Sequence, residues 1–162
     1  METNILNNIY RLYRSQVITL IVILVIGFVM AIEAIIIIKD IKNEPMRSRM
    51  SQITLIVIMI ACWSFWIFSH LSGSLIPIHK DYKESSYVIL ENAVLTVTSE
   101  ADGYPYRDAT NTVVVEDSSG RKLKLKMLND MLRDYDLSFR HTYTGTFAYT
   151  VTSGYVVWCS LS

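Results

Sequence analysis

Three lysines in the second half of the chain are the first residues whose spacing suggests chemistry. Lys122, Lys124 and Lys126 alternate with the apolar residues of the segment 123–127, and side chains two residues apart in a strand point to the same face. Three ammonium groups on one face would bind an anion, either a small phosphate-bearing ligand or a lipid headgroup. The alternative is a solvated strand face whose lysines prevent edge-to-edge aggregation.

A loop between two predicted strands is the second candidate site. Residues 100–109 contain Tyr104, Tyr106 and Arg107, and tyrosine and arginine are enriched at binding hot spots. We expect this loop to contact a protein or ligand partner. Tyrosines beside a proline also fold loops onto their own domain, and both interpretations stay open.

A carboxylate inside an apolar run is the third candidate. Glu33 is the one charged residue within the segment 17–38, and an ionisable group in a membrane span suggests proton or ion traffic. Lys39 follows six residues later, so the carboxylate can instead reach the interface or pair with a basic residue there. We favour this structural interpretation of the intramembrane polar residue.

Other residue types argue against several classes of protein. His70, His79 and His141 lack the short spacings of a metal site, and Cys62 and Cys159 belong to no paired motif. The chain has no nucleophile elbow and no glycine-rich phosphate loop. Its formal net charge is zero, without the block of like charge typical of nucleic-acid binding. We predict no catalytic residue, no metal, no cofactor and no nucleic-acid partner, and a protein that is not an enzyme.

Two apolar runs must position these candidates. The first, residues 17–38, has 22 residues, and about 20 suffice to cross about 30 Å of hydrocarbon. The second covers residues 53–72, with Gly73 and Pro77 predicted to end its helix. The polar connector 39–52 joins them, so that residues 17–78 as a whole are predicted to form a transmembrane hairpin.

The start of the chain is predicted to be retained as a signal-anchor. The first apolar run is longer than the 7–15 residues, roughly, of a cleaved signal peptide. Before it, one face of a predicted helix carries Ile5, Ile9, Leu12 and Tyr13. Residues 1–16 are therefore predicted to be an interfacial segment, with a simple extension of the first span as the alternative.

Basic residues near the span ends predict the orientation. The connector carries four lysines or arginines, against two before the first span and two after the second. Because such residues accumulate on the cytoplasmic side, we expect a cytoplasmic connector and an external β domain. We predict a multi-pass protein of a bacterial plasma membrane, whose spans contact the lipid bilayer.

Residues 85–162 change to the period of two that is typical of strands. The pattern predicts a small all-β domain, a five-stranded partly open barrel of OB or SH3-like type with one short helix. A domain of this size is marginally stable alone. The predicted strands are residues 87–98, bulged near Glu91 and Asn92, and 112–116, 121–127, 142–152 and 155–161, with the helix at 128–135.

The predicted function is that of a small, non-enzymatic integral membrane protein. Its β domain would display a binding surface to a protein or ligand partner, or to a second copy of the chain. The order of elements resembles that of two-span β-barrel effectors in cyclic-oligonucleotide antiphage defence, and the resemblance covers that order alone. It implies an alternative function, in which ligand binding to the barrel drives oligomerisation and the spans, Glu33 included, perturb the bilayer.

Overall fold

Two long apolar helices precede a five-stranded antiparallel open sheet with one short helix. The computed structural model describes residues 1–40, 46–99 and 110–161. They form a helical unit, Gln16–Ile76, and a β unit made of Met1–Ser15 and Pro77–Ser162. The elements are α1 (Glu2–Asp40), α2 (Met46–His70), a π-helical turn (Leu71–Leu75), α3 (Ile76–Glu84), β1 (Tyr87–Ser99), β2 (Thr110–Glu116), β3 (Lys122–Leu128), α4 (Asn129–Asp134), β4 (Thr142–Thr150) and β5 (Val156–Leu161).

The helical unit consists of two helices that are apolar on most faces. By length and composition, both are long enough and apolar enough to cross a membrane. The Trp63 indole N–H donates to the Ile23 carbonyl oxygen at 3.1 Å, and Gly27 leaves room for the ring, which any Cβ there would overlap. At the C-terminal end of α2, His70 Nε2 lies 3.1 Å from the Gln16 carbonyl oxygen. These contacts join α1 to α2 within the unit.

Helical geometry continues through the two residues predicted to end the second helix. Gly73 lies in the π-helical turn and Pro77 in the first turn of α3. A proline inside a helix lacks an N–H and clashes with the carbonyl four residues earlier. The π turn relieves this conflict just before Pro77, because the Ile76 N–H bonds to the Leu71 carbonyl, five residues back. The prediction that the helix ends there is therefore wrong.

The strands lie in the order β3-β2-β1-β4-β5. The predicted irregularity in the first strand is confirmed, because the register of β1 against β4 shifts between Leu90 and Ala93 and Asn92 has a φ of 52°. Asparagine tolerates this left-handed conformation better than most residues do. The two edges of the sheet meet at one point, where the Lys126 N–H donates to the Gly154 carbonyl oxygen at 2.8 Å.

The strand and helix bounds lie within two residues of the predicted ones, and the largest changes are in β2 and β4. β2 begins at Thr110 rather than at residue 112. The predicted strand 142–152 ends at Thr150, because the next residues form the turn into β5. The short helix predicted at 128–135 is present as α4. In β4, Gly145 and Phe147 are buried, and Ala148 and Thr150 are buried as well.

The first turns of α1 belong to the core of the β unit. Ile5, Ile9 and Leu12 are 0–1% exposed and cluster with buried residues of the sheet such as Leu95 and Phe147. The amphipathic face predicted for a membrane interface covers the sheet instead. The physical reason is that a sheet of this size cannot bury its apolar face without a covering helix. Asn8 Nδ2 also donates to the Val157 carbonyl oxygen of β5 at 2.7 Å.

Candidate functional site

The lysine face, formed by Lys122, Lys124 and Lys126 of β3, is exposed as predicted. The apolar side chains that alternate with them become more buried along the strand, from half-buried Leu123 to buried Leu125 and Met127. This alternation follows from the strand period of two, with the apolar side chains packed in the core. β3 therefore presents three ammonium groups on one side, while its apolar side chains on the other side pack in the core.

The three lysines differ in their neighbours. Lys122 Nζ lies 3.4 Å from a carboxylate oxygen of Glu116 on β2, and the Lys126 ammonium lies 5.4 Å from the centre of the Tyr155 ring. Across the described ranges 1–40, 46–99 and 110–161, no carboxylate approaches the Lys124 or Lys126 ammonium within 4.0 Å. Lys124 and Lys126 are therefore the lysines whose charge is available to an external anion.

Hydroxyl groups continue the surface across the neighbouring strands. Lys124 pairs with Val114, which pairs with Thr96, which pairs with Thr142, and directly paired residues share one face. The Thr96 and Thr142 hydroxyl oxygens lie 3.3 Å apart, so this pair can both donate to and accept from a ligand. This row of paired residues offers one cation, Lys124, and two hydroxyl groups, Thr96 and Thr142. The combination is suited to phosphate or carboxylate oxygens.

A tight turn holds the lysine face in register with β2. Asp117 Oδ1 accepts hydrogen bonds from the Ser119 hydroxyl at 2.6 Å, the Ser119 N–H at 2.9 Å and the Arg121 N–H at 3.0 Å. These bonds hold the pKa of Asp117 below its ordinary value of 3.8, and the bond from the Ser119 hydroxyl has the largest effect. Asp117 is therefore ionised at neutral pH, the state that accepts these bonds most strongly. Gly120 supplies the φ of 83° that closes the turn.

The other predicted site residues do not join this face. Tyr104, Tyr106 and Arg107 lie outside the described residues. Glu33 is exposed on α1 in the helical unit. Across the described residues the structure therefore brings together only the three lysines.

The helical unit contains an apolar cavity of about 360 Å³ between its helices. Gly27, Ala31 and Ala34 of α1 line it, opposite Met59 and Trp63 of α2. Its walls offer no charged or catalytic side chain. The cavity marks the face that α1 turns toward α2.

Asp81 is a polar residue whose role the sequence analysis missed. Its carboxylate is fully buried and accepts the Thr152 N–H at 2.8 Å and the Ser153 N–H at 2.7 Å. Together with Ile78, three residues earlier, it forms the buried face of α3. The i, i+3 spacing of Ile78 and Asp81 could have indicated that both residues lie on one buried helix face. It does not indicate which groups the Asp81 carboxylate would bond.

The histidines and cysteines form no shared site in the described parts of the chain. No group of three or more histidine, cysteine, aspartate or glutamate side chains there could hold a metal ion. His79 packs against Tyr13, and Cys62 is exposed, whereas Cys159 is buried. Burial raises the pKa of the Cys159 thiol to about 12, so the thiol is protonated and weakly nucleophilic at neutral pH.

No protein-family model matches this chain, and comparisons with curated proteins and with solved structures found no match.

Proposed function

We propose that this is a small, non-enzymatic integral membrane protein whose β unit displays an anion-binding surface for a ligand or a protein partner. The lysine face is the observation that carries the proposal, because it places two uncompensated ammonium groups beside exposed hydroxyls on a sheet. The two apolar helices would span a bacterial plasma membrane as a hairpin. The β unit would face the outside and the connector the cytoplasm.

The strand arrangement supports a partly open barrel of OB or SH3-like type. The bridge between Lys126 and Tyr155 joins β3 to the residue that precedes β5, so the two edge strands converge. An OB barrel binds its ligands on strands 2 and 3 and on the loop between strands 1 and 2. In this chain those positions are the lysine face and the segment that contains Tyr104, Tyr106 and Arg107.

The proposed surface favours partners with several negative charges. A single exposed ion pair contributes only about 0.2–1 kcal/mol, so one carboxylate would bind weakly. A partner that engages Lys124, Lys126 and the neighbouring hydroxyls together would gain from each contact. We therefore expect an acidic protein segment or a multiply charged small ligand.

Titration with tripolyphosphate tests the lysine face on the full chain in detergent micelles. Replacing both Lys124→Gln and Lys126→Gln should weaken binding about tenfold, because two ion pairs contribute about 1.4 kcal/mol in total. Lys122→Gln should weaken binding less, because Glu116 already pairs with this lysine.

The matched control removes two exposed charges elsewhere in the β unit, Lys80→Gln and Arg133→Gln. If this control weakens binding as much as the lysine-face variant does, general charge attraction accounts for the binding and the proposed surface is wrong. Calorimetry at two salt concentrations would measure both variants.

The position of Glu33 favours a second candidate function, that of a membrane-perturbing effector. At 3.6 residues per turn, Glu33 lies about 100–160° around the α1 axis from Gly27, Ala31 and Ala34, which line the cavity facing α2. In a bilayer a carboxylate facing away from the partner helix would cost about 3 kcal/mol. Oligomerisation would shield it.

Growth during overexpression separates the two candidates. An effector would slow growth or dissipate the membrane potential, and Glu33→Gln would relieve this effect while leaving the protein in the membrane. Harmless expression of the original chain would count against the effector and leave the binding module as the supported function.

A further inference from the structure

Four aromatic rings cluster where the first turns of α1 meet α3 in the β unit. Tyr13 stacks on Tyr82 with ring centres 5.0 Å apart and planes 6° from parallel. Tyr10 lies 5.7 Å from Tyr82, and His79 lies 5.4 Å from Tyr13. These four residues are named here the tyrosine–histidine cluster.

Core packing explains only part of this cluster. Tyr13 packs against the buried core of the β unit, but Tyr10 is 48% exposed and Tyr82 is 40% exposed. His79 is exposed as well. Two tyrosine rings and an imidazole are thus held together at the surface, beside the half-buried ring of Tyr13.

Two exposed cations stand beside the rings. Arg14 follows Tyr10 by four residues on α1, and Lys83 follows His79 by four residues on α3, so each cation shares a helix face with a ring of the cluster. In the described part of the chain, no carboxylate lies within 4.0 Å of either cation. The cluster therefore combines aromatic rings with uncompensated positive charge.

A cavity of about 350 Å³ opens beside Tyr82, one of the four rings. Tyr82 and Lys83 line one side of it, and Leu6, Ile9 and Ser85 line the rest. This lining is partly apolar and partly polar, which suits a group that has a charged head and an apolar body.

Along the chain, the residues of the cluster come shortly before the first apolar run and shortly after the second. Arg14 is the last charged residue before the run 17–38, and Lys80 is the first lysine or arginine after the second run. Tyrosines concentrate at the headgroup level of membranes, and lysines and arginines near a bilayer bind anionic headgroups.

We propose that the tyrosine–histidine cluster, with Arg14 and Lys83, binds the headgroup phosphate of an anionic phospholipid. The inference rests on the membrane insertion in the proposed function, and its site is distinct from the lysine face. Phosphate oxygens would accept hydrogen bonds from the tyrosine hydroxyls and from the two cations, with the guanidinium able to donate two in parallel. A quaternary ammonium headgroup would suit the rings but would be repelled by Arg14 and Lys83.

The test uses the full chain reconstituted into nanodiscs of equimolar phosphatidylcholine and phosphatidylglycerol. Native mass spectrometry after release counts the lipids that stay bound. We expect phosphatidylglycerol to be retained at least about tenfold over phosphatidylcholine, and the double variant Arg14→Gln and Lys83→Gln to lose this preference. Equal retention of both lipids by the original chain would overturn the proposal.

Matched variants separate lost binding from lost folding. Arg121→Gln with Arg140→Gln removes two exposed charges in the segments that precede β3 and β4 and should keep the preference for phosphatidylglycerol. Tyr82→Leu should reduce it with the cations intact, and amide exchange of β4 and β5 would report whether the β unit is still folded. If the control loses the preference as the Arg14 and Lys83 variant does, the cluster is not the lipid site.

Two further measurements distinguish a lipid site from a free-phosphate site and test membrane insertion itself. Displacement of the bound lipid by millimolar inorganic phosphate would mean a site for free phosphate and would overturn the lipid assignment. Release of the reconstituted chain by alkaline carbonate would refute insertion, and with it the proposed function. Retention in the bilayer without a lipid preference would refute this inference alone.

Discussion

A single buried carboxylate joins α3 to the turn that precedes β5. Asp81 has no exposed surface, and its two oxygens each accept one main-chain N–H, from Thr152 and from Ser153. Charge-assisted bonds of this kind are roughly twice as strong as neutral ones. The residue therefore connects the chain segment after the second apolar helix to the sheet.

Replacing Asp81→Asn should destabilise the β unit by about 2–3 kcal/mol, because an amide nitrogen would face one of the two N–H donors. Urea denaturation of the full chain in micelles, followed by far-ultraviolet circular dichroism, measures the change. Glu84→Gln, on an exposed position of the same helix, is the matched control and should leave stability unchanged. A loss below about 0.5 kcal/mol for Asp81→Asn would contradict the assigned role.

The buried thiol of Cys159 should make the β unit less stable in alkali. Burial raises its pKa from 9.0 to about 12, so the folded state holds its proton more tightly than the unfolded state does. The stability from this group is complete below pH 9.0 and is lost as the pH rises toward 12. The free energy of unfolding should therefore fall more between pH 8 and pH 11 in the original chain than in Cys159→Ala. Equal losses in the two chains would contradict the prediction.

At the scale of elements, the part of α1 up to Ser15 belongs to the β unit. Besides its apolar face, this segment contributes Arg11, whose guanidinium lies 2.9 Å from an Asp130 carboxylate oxygen on α4. Because Arg11 is exposed, the ion pair contributes little, about 0–1 kcal/mol. Burial of the apolar face is therefore the main attachment of the segment.

Ile9→Ala should destabilise the β unit by about 2–5 kcal/mol, since it empties a fully buried position. Amide exchange of β1, β4 and β5 in the full chain would show the loss as faster exchange across the sheet. Asn7→Ala, on the exposed side of the same helix turn, should leave exchange unchanged. Unchanged protection in Ile9→Ala would mean that the sheet is stable without this helix face.

At the scale of the whole molecule, the distribution of basic residues predicts which side of the membrane each part faces. In a Cys62→Ser chain, we expect Arg121→Cys in the β unit to react with a membrane-impermeant maleimide in intact cells. Ser51→Cys, near the end of the connector 39–52, should react only after lysis. Cys159 can stay in place, because it is buried and protonated.

The Cys62→Ser parent, without an added cysteine, is the control and should stay unlabelled while folded. The reverse pattern, with Ser51→Cys labelled in intact cells, would place the β unit in the cytoplasm. That result would exclude external partners for the lysine face.

Local patterns were sufficient for the elements and for part of the site. The period of two placed Lys122, Lys124 and Lys126 on one exposed face, and turn residues such as Gly120 marked the hairpin. Both are properties of neighbouring residues, so they can be read without knowledge of the fold. The helix end at Pro77 was mispredicted, because a π-helical turn depends on bonding that residue types do not specify.

The sequence by itself determined the two apolar helices, the five strands and the exposed lysines, because periodicity and apolar length act locally. Only the tertiary structure decided what the amphipathic start of α1 covers, since the hydrophobic effect is non-directional and a sheet or a bilayer satisfies that face equally. It also decided the partners of Asp81, which lie 71 and 72 residues away along the chain. Pairing over such distances depends on how the whole chain packs, and no local pattern encodes it.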